Sequence, residues 1–524
     1  MTPSIDTKIY VNVTDHETRI AVLEEGKLVE LLTERPENER LTGSIYKGKV
    51  TAVLPGIQAA FVDIGLEKAG FLHLSDTTDY QGAKNMLFDM DDADEDSIKK
   101  PVFSKKRRNT NIMDVVKKGQ ELLVQVIREP IESKGPRLTS VISLPGRYLV
   151  MVPGSKQVGI SKKINNYSEK KRLRKSVADL KPPNFGIIVR TVAEGKDGRS
   201  FKADMNMLTK RWDKMKKQVE KTTAPALVHK DLEITTGIIR DLFTPFVSEV
   251  VIDNKEEYNK IIKTLKALDP KLRSIVKLYK EKEPIYDKFG IEQEIEKMFF
   301  RKVWIRRGSN IVIDQTEALV TIDVNTGRFG GKTDWETAIY RTNLDAAREV
   351  ARQIRLRDIG GILIVDFIDM DNRDHRRRVF EEFKTALSRD RSENYISSIS
   401  YLGLIEMTRK RIRMSYMHSI SDICPVCEGV GRVLSRESMA VRIERWFRRV
   451  VNASSINHFQ LIVHPLVGEL FIEDKPTRLR KLEKSLKQKI DLIIDTSLHP
   501  EDFKVLDAGS EMDVTEKYSI GNKK

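Results

Sequence analysis

Apolar and polar positions along the 524 residues change rhythm several times, and each change marks a unit. Near the N-terminus, KIYVNVTDHETRIAVLEEGKLVEL sets β-prone runs between turn residues. Glu25-Gly26 joins two of these runs, which predicts a small sheet containing a hairpin. From Gly43, GSIYKGKVTAVLPGIQAAFVDIGLEKAGFLHLSD breaks into short, closely spaced strands, and GQELLVQVIREP and RLTSVISL supply more. Many short strands with Gly punctuation predict a small OB-type barrel. Between its halves, DMDDADED followed by KKPVFSKKRRN carries opposite charge blocks and few apolar residues, so a flexible loop is expected within residues 76–118.

Farther on, YSEKKRLRKSVADL predicts a basic helix, FGIIVRTV a strand, and residues 202–220 a Lys-rich helix. TGIIRDLFTPFVSEVVIDN reads as a helix running into a buried strand, and EQEIEKMFFRKVWI as an amphipathic helix leading to the next unit. That unit opens with ALVTIDVNTGRFGG, an apolar strand that delivers Asp323 and Asn325 into a Gly-containing turn. DWETAIYRTNLDAAREVARQIRLRD follows with Ile339, Leu344, Ala347, Ala351 and Ile354 on one helical face and Asp334 available as N-cap. After Gly360-Gly361 comes GILIVDFIDM, an apolar strand interrupted by Asp366. Strand, helix, strand at this spacing is a βαβ unit, with two parallel strands that are neighbours or nearly so. No internal repeat of 20 to 50 residues is found.

Length and charge refine this picture. A chain of 524 residues predicts roughly three to five domains, and a net charge of +15 with pI near 9.4 favours a polyanionic partner, nucleic acid first. The chain has two cysteines, no apolar run of transmembrane length and no signal-peptide core in MTPSIDTKIY; a soluble, cytoplasmic protein that engages no membrane is expected.

The βαβ unit then offers chemistry. Side chains two apart on a strand share a face, so Asp323 and Asn325 stand side by side. Asp323 and Asp366 both fall at strand carboxyl ends, where open α/β sheets hold ligands. Two acids brought together repel unless one takes a proton or a cation lies between them. Mg²⁺ suits such a pair, since it takes hard oxygen ligands, keeps waters and binds through one or two carboxylates plus a phosphate. The pair could thereby activate water against a phosphodiester, with Asn325 bonded to a phosphate oxygen or the attacking water. The alternative is that Asp323 and Asn325 only make turn and capping bonds.

IDVNTGRF, NLDAAREVARQIRLRDIGG and ILIVDFIDM together resemble the RNase E/G family of bacterial endoribonucleases, and the similarity runs through nearly the whole chain except the loop at 76–118. The resemblance implies a Mg²⁺-dependent endonuclease for single-stranded RNA, leaving a 5'-phosphate and a 3'-hydroxyl, stimulated by a 5'-monophosphate and acting in rRNA maturation and mRNA decay. Asp323 and Asp366 match its metal-binding acids and Asn325 its orienting amide. The implied fold is α/β and multidomain: an RNase H-like subdomain split into 1–39 and 236–300, an OB-fold RNA-binding domain at 40–143, and a 5'-monophosphate sensor at 144–235. A DNase I-like catalytic domain at 301–420, a CxxC zinc link at 421–434 and a small α/β dimerisation domain at 435–524 complete it. Without a long Pro/Arg-rich extension, the architecture resembles the RNase G branch of the family.

The same resemblance assigns RNA contacts. Phe61, Phe71 and Lys134 fall on its RNA-contacting positions in an S-one-type OB domain, with Arg128 nearby, although a strand Phe read alone is core; His73 is expected to be a surface or structural histidine. Arg190 and Thr191 end the FGIIVRTV strand. An Arg fork with a hydroxyl suits a terminal phosphate. Read alone this is an ordinary exposed pair; by resemblance it is the pocket that senses the 5'-monophosphate.

DICPVCEGVGRVLS holds both cysteines, Cys424 and Cys427. A thioredoxin-like redox pair would open a helix after a strand, whereas Gly429 and Gly431 follow here, so a zinc knuckle fits better. Structural Zn²⁺ takes four ligands and one chain supplies two, which implies a homodimer sharing one ion; the sequence leaves open whether such dimers pair into a dimer of dimers. The family resemblance implies the same link. Single-stranded RNA, including rRNA precursors and mRNA, is the expected partner. The competing expectation is a non-hydrolytic RNA-binding factor of ribosome maturation whose carboxylates are structural.

Overall fold

The computed structural model describes residues 6–35, 41–77, 111–130, 134–162, 164, 166–230, 237, 240, 242–243, 246–327, 335–411, 415–451, 453–473 and 477–518. It forms two compact units, Met1–Ser419 and Ile420–Lys524. The first unit begins with an antiparallel meander of β1 (Thr7–Val13), β2 (Thr18–Glu24) and β3 (Lys27–Glu34). Glu25 and Gly26 both have positive φ, 51° and 77°. That is the two-residue hairpin geometry whose twist matches the strands, and Gly adopts it without a Cβ clash.

A closed barrel follows, built from β4 (Ile45–Leu54), β5 (Ala59–Asp63), β6 (Gly70–His73), β7 (Glu121–Arg128) and β8 (Arg137–Thr139). Its order β4-β5-β6-β8-β7 returns to β4, so the barrel has no free edge in that circuit. Both ends of the 76–118 span, within which a flexible loop is expected, are built into the barrel. Asp76 accepts two bonds from Arg137, and α1 (Ile112–Val115), opened by an Asn111/Asp114 capping box, buries Ile112 in the barrel core. Val116 is buried there too; the remainder of the expected loop, 78–110, lies outside the described residues.

The next layer has strands β9 (Leu144–Pro145), β10 (Leu149–Pro153), β11 (Val158–Ile160) and β12 (Phe185–Val189) in the order β11-β12-β10-β9. It is covered by α2 (Tyr167–Ala178) and α3 (Gly198–Lys221), both at the helical positions expected from sequence. Strand β13 (Ala226–His229) returns to pair with β4 of the barrel. Then β14 (Val247–Ile252) and β15 (Val276–Leu278) complete the N-terminal sheet, β14 pairing parallel with β1 across more than 200 residues of intervening chain. The helix expected before β14 falls largely outside the described residues, as does Asp334.

The sheet that carries the acids contains β16 (Lys302–Trp304), β17 (Asn310–Gln315), β18 (Leu319–Asn325), β19 (Gly361–Asp366), β20 (Asn394–Ile396) and β21 (Leu404–Arg409). Its order is β16-β17-β18-β19-β21-β20, and β18 and β19 are its parallel pair. Helices α4 (Trp335–Leu356) and α5 (Arg373–Leu387) cover one face. On α4 the predicted stripe is at work: Ile339, Ala347, Ala351 and Ile354 are buried against Ile322, Leu363 and Val365.

The same helix also reaches the N-terminal sheet. Leu356 joins the cluster around Tyr10, Leu28 and Tyr286, Arg355 pairs with Glu24 at 2.6 Å and Glu30 at 3.2 Å, and Arg352 donates to the Leu28 carbonyl at 2.9 Å. One helix therefore ties two sheets into one body. At the far end of β21, buried Arg409 bonds Asp390 through Nε at 2.6 Å and Nη2 at 3.2 Å, and Asp358 through Nη1 at 2.7 Å. These contacts fix the α4–β19 connection to the α5–β20 connection.

The second unit, taken by itself, has a three-stranded sheet of β22 (His458–Val463), β23 (Lys489–Ile494) and β24 (Phe503–Asp507) in the order β23-β22-β24. Helices α6 (Arg436–Val451), α7 (Pro465–Ile472) and α8 (Arg478–Leu486) pack on it around Trp446, Phe447 and Phe459. Among the described residues no helix is long and apolar enough to cross a membrane.

Removing the Arg409 guanidinium takes away the buried cation that bridges Asp390 and Asp358, and breaking a buried ion pair from one side costs about 3–5 kcal/mol. Arg409→Ala should thus lower the midpoint of the first thermal unfolding transition, read by calorimetry, whereas Arg306→Ala on the exposed surface should not.

Candidate functional site

The parallel pairing of β18 and β19 places Asp323 directly opposite Asp366 in register. Adjacent strands lie about 4.8 Å apart, and opposed residues share a face, so the two carboxylates are forced together at the strand ends. Both are exposed to solvent. Asp366 closes β19 as its last residue and is not the buried charge its apolar neighbours suggest. The reason is topological, since the strand runs out at the sheet's rim. Burial by the surrounding protein, then the charges of Asp323 and Asp369, push the Asp366 carboxyl above the usual carboxylate range.

Asn325 lies on the same face as Asp323 and donates Nδ2–H to its Oδ2 at 2.7 Å. The amide thus orients one carboxylate before any ligand arrives, a contact that the expected bond to phosphate or water did not include. This bond runs from side chain to side chain, from Asn325 to Asp323, and is not the turn or capping bond of the alternative reading.

Three further residues belong to the site and were not singled out from sequence. Asp369, exposed in the loop after β19, is a third acid close enough to raise Asp366. It approaches Gly403, where a Cβ would come within 3.2 Å of its Oδ1, and Gly403 has φ +82°. The positive φ favours Gly in the turn beside Asp369, and a side chain there would crowd the Asp369 carboxylate. Asn343, fully buried on α4, donates to the Ile368 carbonyl at 2.7 Å and accepts from the Ile368 N–H at 3.1 Å, clamping the loop that carries Asp369. The DFIDM string contained the signal for Asp369; a buried Asn within an apolar helical stripe was the signal for Asn343.

On the barrel, register brings the expected RNA contacts into a row. Phe61 stands opposite Phe71, Phe71 opposite Arg137, and Arg137 opposite Arg128. The phenyl rings are half-exposed and meet edge to face, centroids 6.0 Å apart. They are not core. His73 stacks 6.4 Å from Phe71 while its Nδ1 accepts the Ser75 N–H at 3.2 Å, so this structural cap also widens the aromatic strip. Arg137, missed from sequence, is aimed by Asp76; Arg128 is exposed at the end of β7, and Lys134 is exposed three residues before Arg137.

Arg190 and Thr191 both follow β12. Arg190 Nη1 donates to the Gly146 carbonyl at 2.8 Å and to Arg240 O at 3.3 Å, and the exposed Thr191 hydroxyl lies 2.9 Å from that of Ser161. Nearby, Glu169 accepts from the Gly195 N–H at 2.8 Å and pairs with Arg172, which with that backbone bond holds its carboxyl down at about 2. The loop behind Thr191 is therefore pinned.

In the second unit, Cys424 and Cys427 are free thiols in a turn closed by Glu428 N–H to Cys424 O at 2.8 Å and Val430 N–H to Cys427 O at 2.7 Å. Positive φ at Glu428, Gly429 and Gly431 makes the knuckle. The Cys427 and Val426 N–H groups point at the Cys424 sulfur, and with the Cys427 side chain they lower its thiol pKa. No strand leads into the turn and α6 starts only at Arg436, so the CxxC does not sit at the strand-to-helix junction of a redox pair. The turn is secured by His499 Nε2 donating to the Val426 carbonyl at 2.8 Å. Among the described residues no three His, Cys, Asp or Glu side chains form a ready cation cage. A two-carboxylate Mg²⁺ site and a two-thiolate share of a zinc site are both below that number.

Comparison with known proteins agrees with this layout. The Ribonuclease E/G family model matches residues 143–412, an S1 RNA binding domain model matches 41–139, and an RNase E/G, Thioredoxin-like domain model matches 423–508. Ribonuclease G of Escherichia coli is 37% identical over 503 residues, covering 95% of this chain and 99% of that protein. Ribonuclease G of Haemophilus influenzae is 36% identical over 500 residues with the same coverage. Ribonuclease E of Escherichia coli is 35% identical over 480 residues, which span 91% of this chain and 43% of that protein.

The raised Asp366 carboxyl has a consequence for stability that needs no substrate. Its folded pKa exceeds its unfolded one, so the penalty is absent below the ordinary carboxylate range, grows as pH rises through it, and is complete at neutral pH. Without divalent cations, Asp366→Asn should stabilise the first unit at pH 7 by up to about 1 kcal/mol, the scale of a solvent-screened charge pair. The gain should vanish at pH 3 and shrink in high salt, as read by thermal melts; equal melting of both forms at every pH would contradict it.

Proposed function

The chain belongs to the RNase E/G family and is an endoribonuclease of RNA processing, most like ribonuclease G; on that premise we propose that it cuts single-stranded RNA with Mg²⁺ held by Asp323 and Asp366. The observation that carries this reading is the in-register pairing of those two acids at the open end of a parallel strand pair. A bound Mg²⁺ supplies Lewis-acid polarisation of the phosphodiester and a more acidic water. The donor set fits, being two exposed hard-oxygen ligands whose mutual repulsion a dication relieves.

The chain's own residues do the remaining work. Asn325 fixes the rotamer of Asp323, and the Asn343 clamp on Ile368 fixes the loop of Asp369, so the acidic rim is preorganised. Water attacks phosphorus in line, the bond to the 3' oxygen breaks, and that oxygen leaves with the electron pair and takes a proton, giving 3'-hydroxyl and 5'-phosphate ends. Phe61, Phe71, Arg128 and Lys134 grip unpaired nucleotides, since aromatic faces stack any base and cations follow phosphates. Duplex RNA hides those base faces, which accounts for single-strand preference.

Arg190 and Thr191 receive a 5'-monophosphate, and their pinned loop makes a pocket that selects against the bulkier triphosphate. Cys424 and Cys427 hold half of a zinc site completed by a second copy; their fit is the exposed knuckle with backbone N–H groups already directed at the sulfur. Substrates of this kind place the protein in rRNA maturation and mRNA decay in the cytoplasm. The end-to-end likeness to ribonuclease G favours hydrolysis over a purely RNA-binding role.

Cleavage of a short 5'-monophosphorylated single-stranded RNA tests the reading. Loss of several kcal/mol of transition-state stabilisation predicts a fall of roughly 1,000-fold in kcat/KM for Asp323→Asn or Asp366→Asn with Mg²⁺; near-normal cleavage by either variant would refute it. Replacing both cysteines with serine should abolish bound zinc and convert dimer to monomer, as seen by metal analysis and sedimentation.

A further inference from the structure

The open face of the acid-bearing sheet holds a second feature that the proposed function does not use. Edge strand β16 pairs with β17 so that Lys302 is opposite Val312 and Trp304 opposite Asn310; β17 in turn sets Val312 opposite Asp323 and Asn310 opposite Asn325. Lys302 and Trp304 therefore lie in the same two transverse rows, on the same face, as Asp323 and Asn325. Two strand spacings separate them, roughly 10 Å at the backbone. Helices α4 and α5 cover only the opposite face.

Trp304 is 64% exposed, and the Lys302 ammonium sits over its ring, 4.2 Å from the centroid. An indole of this size left in water is a cost that an isolated strand edge gains nothing from. Next to it stand two acids proposed to handle a phosphodiester. An aromatic face paired with a cation is the chemistry that takes a base and its phosphate without regard to sequence.

We infer that Trp304 and Lys302 form a nucleotide subsite beside the scissile phosphate, in which the indole stacks one base and the ammonium meets its phosphate. This rests on the nuclease reading above and names where the chain being cut leaves the acidic rim. The subsite is distinct from the barrel's aromatic strip, which is a separate element of the fold. A neighbouring grip so close to the reacting atoms holds the phosphate against two acids that would otherwise repel it.

The test uses the full protein with Mg²⁺, a short single-stranded 5'-monophosphorylated RNA for kinetics and a non-cleavable 2'-O-methyl oligonucleotide for binding. Loss of one stacked base predicts roughly 5- to 150-fold weaker binding for Trp304→Ala, falling mainly on KM, with Trp304→Phe recovering most of it. Lys302→Ala should weaken binding and flatten its salt dependence. RNA should quench the tryptophan emission of the wild type more than that of Trp304→Phe. Unchanged KM in Trp304→Ala with equal quenching would overturn the subsite. So would a change of oligomeric state in RNA-free Trp304→Ala, which would make this face a contact between copies. Wild type that fails to cleave would sink the nuclease reading instead, and the quenching difference would still decide the subsite.

Discussion

Two like charges held opposite one another on hydrogen-bonded neighbouring strands are the constraint around which the first unit is organised. Asp323 and Asp366 cannot move apart without breaking the β18–β19 ladder, and the Asp366 carboxyl is raised first by burial and then by the charge of Asp323. Such an arrangement is stable only because the rest of the sheet outweighs it. The crossover helix α4 buries an apolar face against both strands, while its Arg352 and Arg355 anchor on the N-terminal sheet and Arg409 locks the connections at the opposite end. Rigidity behind the acids keeps the two carboxylates facing each other, which is what the proposed cation site requires.

The surfaces that would meet RNA follow from the same logic of fixed backbone and exposed side chains. Pairing register lines up Phe61, Phe71, Arg137 and Arg128 across the barrel, and it lines up Lys302 and Trp304 with Asp323 and Asn325 across the acid-bearing sheet. Neither row demands a base identity, so grip and cutting are matched in their tolerance of sequence. Selectivity has to come from elsewhere, and the pinned loop at Arg190 and Thr191 is where the proposed reading puts it, as a receiver of an RNA 5' end. The CxxC knuckle adds another level under the proposed reading, in which its two thiolates are half of a zinc site shared with a second copy.

Much of this was legible in the amino-acid string. The βαβ unit could be read from period alone, because Ile339, Ala347, Ala351 and Ile354 repeat at helical spacing between two apolar strands. The Glu25-Gly26 hairpin and the barrel's strands were marked by turn chemistry. What stayed hidden depended on pairing across long separations: the union of β1 with β14, the row that puts Arg137 beside Phe71, and the approach of Asp369 to Gly403. Burial misled at Asp366, where an apolar run suggested enclosure although the strand simply ended at the rim. Within the charged 76–118 span, Ile112 and Val116 look like isolated apolar residues until the barrel core closes over them.

Binding of Mn²⁺, a paramagnetic stand-in for Mg²⁺, followed by electron paramagnetic resonance on the full chain at neutral and acidic pH, probes the carboxylate pair without any RNA. The account predicts one ion per chain, released as the pH falls through the Asp366 titration and absent in both Asp323→Asn and Asp366→Asn. Equal occupancy in the wild type and either variant would contradict it.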